Sequence, residues 1–267
     1  MAATSTRATD IARRAGERAA EDEQDRATSP AAVAEATKRV AKSDRQNGLR
    51  RFLFDNALTI VAFSFFLVSM VGLALAGRRA YNADQRAHGQ ATVNVAGYLR
   101  TGAFMEATGE NWESAFLQMG VFVLLTRFLY QRGSSESKRI EEPEAVDEDP
   151  RDASITPDTP WPVRRGGMWL AVYRNSLGAV TWLMFTLAFA LHAAGGAAKY
   201  NENQRAHGGA TVSTVGYVET SQFWFESFQN WQSEFFSVGV LALMTIWLRQ
   251  QGSPQSKPVA APNHDTG

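Results

Sequence analysis

The sequence contains one thirteen-residue stretch twice. Residues 81–93 read YNADQRAHGQATV, and residues 200–212 read YNENQRAHGGATV. Ten of the thirteen positions are identical at an offset of 119 residues, and the match extends without a gap over residues 56–138, with 34 identities in 83 positions. Such a match predicts an internal repeat, and a repeat determines the fold of most of the chain.

Long apolar segments precede each copy of this stretch. Residues 56–77 read NALTIVAFSFFLVSMVGLALAG and carry no charge. A hydrocarbon core about 30 Å thick needs about 20 helical residues, so this segment predicts a membrane-spanning helix. Its counterpart at residues 175–198 predicts a third span, and residues 112–130 and 233–248 predict the second and fourth spans.

The ends of the first two helices can be predicted from composition. Residues 78–88 lack proline and glycine, so the first helix should continue past the bilayer surface until Gly89 ends it. Residues 90–99 are expected to form an irregular turn. A second helix should begin near Gly102 and run to Gln131, before Gly133.

Composition excludes several classes of site. The 267 residues include 27 basic and 27 acidic side chains and no cysteine. Disulfides, thiol catalysis and cysteine-ligated metals are therefore excluded, and the balanced charge gives no reason to expect a nucleic-acid partner. No nucleotide-binding loop, zinc-protease motif or nucleophile elbow occurs in the sequence.

These observations predict an all-α integral membrane protein, built from two tandem transmembrane hairpins with four spans in a parallel internal repeat. Hairpin repeat 1 covers residues 49–139 and hairpin repeat 2 covers residues 169–258. Residues 1–48 are expected to be a disordered cytoplasmic tail because they hold almost no large apolar side chain. Residues 140–168 form an acidic, proline-rich linker, and residues 259–267 a polar tail.

The distribution of basic residues predicts the orientation. Arginines and lysines flank the inner ends of the spans, including Arg50 and Arg51 before span one and Arg164 and Arg165 before span three. Cytoplasmic loops carry an excess of such residues. Both termini and the linker are therefore predicted to be cytoplasmic.

Three short motifs carry a resemblance to a known family. They are AHG within AHGxATV, NWxSEF, and QxGSxxSK, and each occurs in both halves, although the first half has Ala115 where the second has Glu234. Together they resemble an uncharacterised family, a domain of unknown function, of small bacterial multi-pass membrane proteins. The resemblance covers about residues 49–139 and 169–258. It implies location in the inner membrane of a bacterium and a multi-pass topology, and it implies no catalytic residue.

Polar residues of the repeated stretch are the candidate site. Tyr81, His88, Tyr200 and His207 should lie in the outer turns, as a paired polar site or as helix ends whose histidines favour the negative end of the helix dipole. No metal site is predicted, because a metal would need three or four such ligands. His192 is given no role, because its counterpart is Leu73.

Two further pairs are assigned structural roles. Trp112 and Trp231 are predicted to anchor the helices at the membrane interface. Gly120 and Gly239 are predicted to lie at helix-packing faces, because small residues let membrane helices approach closely.

The function predicted from the sequence is that of a non-enzymatic structural or partner-binding membrane protein. The alternative is a small channel or transporter built on the pseudo-twofold axis, and an enzyme with its site in the outer turns is a third class. The lipid bilayer is the expected partner, and no cofactor and no nucleic acid are predicted. A homo-oligomer and an unknown protein partner stay open.

Overall fold

The computed structural model describes residues 48–140 and 142–267, over which the chain forms helices and no strand. The predicted all-α class is confirmed for those residues. The helices are α1 (Gly48–Asp55), α2 (Ala57–Ala87), α3 (Val95–Tyr98), α4 (Gly102–Leu125), α5 (Trp161–Arg165), α6 (Gly167–Tyr173), α7 (Ser176–Ala206), α8 (Thr214–Val218) and α9 (Ser221–Met244), with a 3-10 turn at Ala145–Asp147. The predicted tail at residues 1–48 lies, apart from Gly48, outside the described residues.

Two of these helices, α2 and α7, are long and apolar enough to cross a membrane. Each has 31 residues, which at 1.5 Å per residue makes about 46 Å. Large apolar side chains of α2 are exposed, with Leu58 at 85% and Phe65 and Val68 at 70%. An exposed surface of this kind is unusual in water and is what contact with lipid requires.

The ends of α2 and α7 follow the same local chemistry. Gly89 and Gly208 have φ of 67° and 71°, a conformation that favours glycine because it carries no Cβ. The predicted end of the first helix at Gly89 is therefore confirmed.

The predicted end of α4 at Gln131 is wrong. The helix ends at Leu125, and the hydroxyl of Thr126 donates to the carbonyl oxygen of Phe122 at 2.8 Å. This bond accompanies the change to a turn at Thr126, where an apolar pattern alone predicts continued helix.

The turn after α2 is more regular than predicted. Within residues 90–99 the chain forms α3, whose first turn is capped because the side chain of Asn94 accepts from the Gly97 amide at 2.8 Å. Side-chain caps of this kind satisfy backbone donors that a helix start leaves unpaired. Asn82 fixes the same loop to α2 through two bonds of 2.8 Å with the backbone of Val93.

The chain divides into two compact units. The boundary between them falls between Val71 and Gly72, inside α2. The described part of the first unit is α1 and the first half of α2, where the Asn56 side chain donates to the carbonyl of Phe52 at 2.8 Å. The second unit, Gly72–Gly267, holds the remaining helices and the buried polar side chains described below.

The most extensive helix packing in the second unit is between α4 and α7. Three glycines bring the two backbones together: a Cβ added to Gly109 would lie 2.7 Å from the Cα of His192, one on Gly195 would lie 2.7 Å from Met105, and one on Gly102 would lie 2.7 Å from the Gly195 carbonyl. Such contacts are closer than real Cβ atoms make. The helices are antiparallel, and α9 packs on α4 beside them.

The two glycines assigned to packing faces differ in their surroundings. A Cβ on Gly120 would meet the side chains of Thr181 and Trp182 on α7 at 3.4–3.5 Å, which is ordinary contact. A Cβ on Gly239 would meet nothing within 4 Å among the described residues. Gly120 therefore faces a helix in this structure and Gly239 does not.

The two QxGSxxSK segments form matching turns after the C-terminal ends of α4 and α9. The Ser137 hydroxyl accepts from the Gln131 amide at 2.9 Å, and the Ser256 hydroxyl accepts from the Gln250 amide at the same distance. The serines therefore stabilise the turns that follow α4 and α9.

Lys257 connects the second of these turns to the residues that follow it. Its side chain is only 3% exposed, and its ammonium donates to the carbonyls of Pro262, Asn263 and Asp265 at 3.3, 3.1 and 2.8 Å. The predicted polar tail at residues 259–267 is thus packed against the chain. It also reaches the first turn, where the Gly267 amide donates to the Ser134 carbonyl at 3.1 Å.

Candidate functional site

A buried ion pair lies where α4 and α7 touch. Glu113 on α4 and His192 on α7 are both fully buried, and the Nδ1 of His192 is 2.7 Å from Oε2 of Glu113. The glycine contact at Gly109 brings the backbones close enough for these side chains to meet across the interface. Buried charges are costly unless they are paired, and each of these two groups has the other as its partner.

The other ring nitrogen of His192 faces a second carboxylate. Nε2 lies 3.3 Å from Oε2 of Glu226, which α9 contributes. The same carboxylate accepts from the Tyr217 hydroxyl at 2.5 Å and from the Gln222 amide at 2.6 Å. His192 therefore bridges carboxylates from two different helices.

The surrounding aromatic side chains fix the positions of these groups. The indole of Trp231 donates to Oε1 of Glu113 at 3.0 Å. The ring of Phe223, which is fully buried, stacks on the His192 ring with a centroid distance of 4.6 Å and an interplanar angle of 24°. Phe223 thus covers one face of the imidazole, and the carboxylates of Glu113 and Glu226 fix its orientation through the two ring nitrogens.

A cavity of about 650 Å³ opens beside this pair. Lys199 lies in its lining and forms an ion pair with Glu106. Among the described residues that line the cavity, Lys199 is the one lysine, and the acids are Asp84, Glu106, Glu110, Glu202 and Glu226. The carboxylates outnumber the cations, so the cavity favours positively charged groups.

Among the acids that line the cavity, Glu110 is the one whose carboxylate forms no hydrogen bond or ion pair with the described residues. It precedes the predicted second span. Burial, with a contribution from the nearby Glu106 charge, raises the pKa of Glu110 to about 7. One oxygen of Glu110, one of Glu226 and a ring nitrogen of His192 lie within 4.8 Å of one another.

Glu226 and Tyr217, which also line the cavity, have shifted pKa values. Burial would raise the pKa of Glu226, but the hydrogen bonds that it accepts from His192, Tyr217 and Gln222 lower it below its usual range. Burial, together with the bond to Glu226, raises the pKa of the Tyr217 phenol. Glu226 is therefore held as a carboxylate and Tyr217 as a hydrogen-bond donor.

The residues predicted to form an outer polar site lie close to this cavity. Tyr81, His88 and Tyr200 line it, and the hydroxyl of Tyr81 donates to Glu202. The rings of His88 and His207 meet edge to face, with centroids 5.3 Å apart.

The histidines also make the contacts expected of helix ends. Nδ1 of His88 lies 3.0 Å from the Asp84 carbonyl, and Nδ1 of His207 lies 2.9 Å from the Asn203 carbonyl. Both the paired site and the helix-end interpretation therefore stay open. The interface roles of Trp112 and Trp231 also stay predictions, and both side chains are half-buried.

The sequence analysis did not bring together the residues of the buried cluster, His192, Glu113 and Glu226. Each has an uncharged counterpart 119 residues away: His192 corresponds to Leu73, Glu113 to Gln232 and Glu226 to Ala107. A search for features shared by both halves excludes all of them. The signal that would have found them is the opposite one, a charge present in one half only.

Comparison with known proteins identifies the family and nothing further. No curated protein and no solved structure matches the chain. A family model described as a domain of unknown function (DUF6766) matches residues 49–267, a range that includes the linker and the C-terminal residues as well as both helical segments. The chain therefore belongs to the DUF6766 family, a domain of unknown function.

Proposed function

We propose that the chain is a four-span bacterial inner-membrane protein made of two repeated hairpins, in which the second and fourth spans (residues 112–130 and 233–248) begin within α4 and α9. The helix bounds support the repeat, because α2 (Ala57–Ala87) and α7 (Ser176–Ala206) are separated by 119 residues at both ends, as are α4 (Gly102–Leu125) and α9 (Ser221–Met244). The basic flanks of the spans favour cytoplasmic termini and a cytoplasmic linker, and the cavity would then face outward.

Within that architecture, the protein binds a small cationic ligand in the cavity and does not catalyse a reaction. One observation supports this role above all: five acids and one lysine line a cavity of about 650 Å³. That volume falls in the usual range for small-molecule sites, which also combine apolar walls with a few placed polar groups. Tyr98 and Tyr217 supply aromatic surface in its lining.

Binding is tested with two probes of equal length and opposite charge. The full chain in lipid nanodiscs is titrated calorimetrically with putrescine, a four-carbon dication, and with succinate, a four-carbon dianion. Putrescine should bind and succinate should not. Because hydrogen bonds to charged groups contribute about 1.5–3 kcal/mol, Glu202→Gln should weaken putrescine binding about tenfold or more.

The control variant is Glu219→Gln, which removes an exposed carboxylate outside the cavity lining. It should bind putrescine as the native chain does. Equal binding of both probes, or an equal loss in both variants, would refute cation recognition by the cavity.

Transport is the second candidate, and one observation favours it. Glu113 and His192 are buried within the second and third predicted spans, and ionisable residues inside a membrane often mark ion pathways. Proteoliposomes loaded with putrescine separate the two roles. A binding protein retains the probe, whereas a transporter releases it down its gradient.

The topology is tested with single cysteines, which report without background because the native chain has none. A cysteine replacing Gln90 or Gly209 should react with a membrane-impermeant maleimide on intact spheroplasts. A cysteine replacing Ser154 should react only after lysis. The reverse pattern would refute the orientation.

A further inference from the structure

We propose that Glu110, His192 and Glu226 bind one divalent transition-metal ion at the inner wall of the cavity, and that Glu113 orients His192 as a ligand. The sequence analysis predicts no metal site, and these three residues come from three helices, with no residue of the same type 119 positions away. This site deepens the proposed cation-binding role and rests on it in one respect, because the ion reaches its ligands through the cavity.

The ligand atoms already have nearly the spacing that an ion requires. Zinc binds nitrogen and oxygen at about 2.0–2.2 Å in a tetrahedral arrangement, so its ligand atoms stand about 3.4 Å apart. Nε2 of His192 and Oε2 of Glu226 are 3.3 Å apart. An oxygen of Glu110 lies within 4.8 Å of a ring nitrogen of His192 and of an oxygen of Glu226, so its side chain needs only a small movement to complete the group.

Nδ1 of His192, the ring nitrogen that would not bind the ion, has the hydrogen-bond partner that metal-bound histidines require. A ligating imidazole almost always donates its second N–H to a carboxylate, a carbonyl or water, which fixes the tautomer and the ring orientation. Here Nδ1 donates to Glu113 at 2.7 Å, and Trp231 in turn donates to Glu113 at 3.0 Å. Nε2 is thereby directed at Glu226, where the ion would replace its proton.

Charge and access agree with a divalent ion. A neutral imidazole and two carboxylates balance a charge of +2, and the imidazole favours zinc, copper, iron or nickel over magnesium or calcium. Glu110 and Glu226 line the cavity. Glu110 has no other polar partner to give up among the described residues. Three protein ligands leave a fourth position open to the cavity.

The experiment is a Zn²⁺ titration of the full chain in nanodiscs after treatment with a chelator. The native chain should bind one Zn²⁺, and Glu219→Gln should match it. Glu110→Gln and Glu226→Gln should each weaken binding at least tenfold. Failure of the native chain to bind stoichiometric Zn²⁺, or unchanged binding in Glu110→Gln, would overturn the site.

Folding is controlled within the same set of variants. Glu226→Gln loses hydrogen bonds, but Glu110→Gln gives up none among the described residues and should keep the native melting temperature without metal. If Glu226→Gln does not fold, Glu110→Gln alone decides the outcome. Zn²⁺ binding that is lost in His88→Asn and retained in Glu110→Gln would place the ion at the outer histidines and overturn this site.

The positioning role of Glu113 has its own measurement. Glu113→Gln should weaken Zn²⁺ binding about 10–100-fold, the effect usual for such a partner, and should shift the visible absorption of bound Co²⁺. An unchanged Co²⁺ spectrum and affinity would remove Glu113 from the site. Glu202→Gln separates the two proposals, since it should lose putrescine binding and keep Zn²⁺ binding.

Discussion

Replacing Gly109 with alanine tests whether backbone contact between α4 and α7 holds the second unit together. The new Cβ would lie 2.7 Å from the Cα of His192 and 3.0 Å from the carbonyl carbon of Leu191. Carbon atoms pack at about 3.5–4.0 Å, and neither neighbour is a side chain that could turn away. The helices must therefore separate by about 1 Å, which costs about 1–3 kcal/mol as overpacking.

Gly239→Ala is the matched control, since its Cβ would meet nothing within 4 Å among the described residues. Both variants gain the same helix propensity, about 1 kcal/mol, so the difference between them isolates the contact. In a chain of this size 1 kcal/mol moves the melting temperature by about 2–4 °C. Gly109→Ala should therefore melt about 2–12 °C below Gly239→Ala, followed by circular dichroism in detergent.

The result that would refute the reasoning is a Gly109→Ala variant that melts with or above Gly239→Ala. Gly195→Ala should behave like Gly109→Ala, because its Cβ would also meet backbone atoms, those of Met105 and Glu106. Gly120 has an intermediate environment, because an added Cβ would make only ordinary contacts with the side chains of Thr181 and Trp182. Alanine should be tolerated there, whereas Gly120→Leu should weaken packing by about 1–2 kcal/mol.

Three further tests address the loops, the helix ends and the C-terminal residues. Asn82→Ala removes two hydrogen bonds to the loop backbone and should cost about 1–3 kcal/mol by chemical denaturation; a cost near zero would contradict this role. His88→Asn and His207→Asn should each be nearly neutral and additive in a double-mutant cycle, and strong coupling would instead favour a paired site. Lys257→Met should lower the melting temperature more than Lys138→Met, because the first lysine is buried with three backbone acceptors and the second pairs with an exposed aspartate; the opposite order would contradict the tail packing.

Features that depend on local sequence could be predicted, and features that depend on helix crossings could not. The length of α2 and its end at Gly89 follow from a continuous apolar run and one glycine. The meeting of Glu113 with His192 does not, because they lie 79 residues apart and their contact depends on where glycines allow two backbones to touch. Periodicity shows that a helix is apolar, but not which of its glycines another helix will cover.

The buried cluster was missed for a different physical reason. Repetition is a good guide to residues that build the scaffold, such as Asn82 and Asn201, which make the same loop contacts. It is a poor guide to a site that lies between the two halves, because such a site needs one copy of each group. Two copies of Glu113 or of His192 would place like charges together.

The one-sided distribution of the cluster has a consequence for how the halves are joined. The first half supplies Glu106, Glu110 and Glu113, and the second supplies His192, Lys199 and Glu226. A symmetric pair of either half alone would lack the complementary groups, so the site requires the two halves in a one-to-one ratio. Covalent connection through residues 140–168 guarantees that ratio and keeps each half at a high effective concentration for the other. The linker thereby makes the pairing of unlike halves independent of how much protein the cell produces.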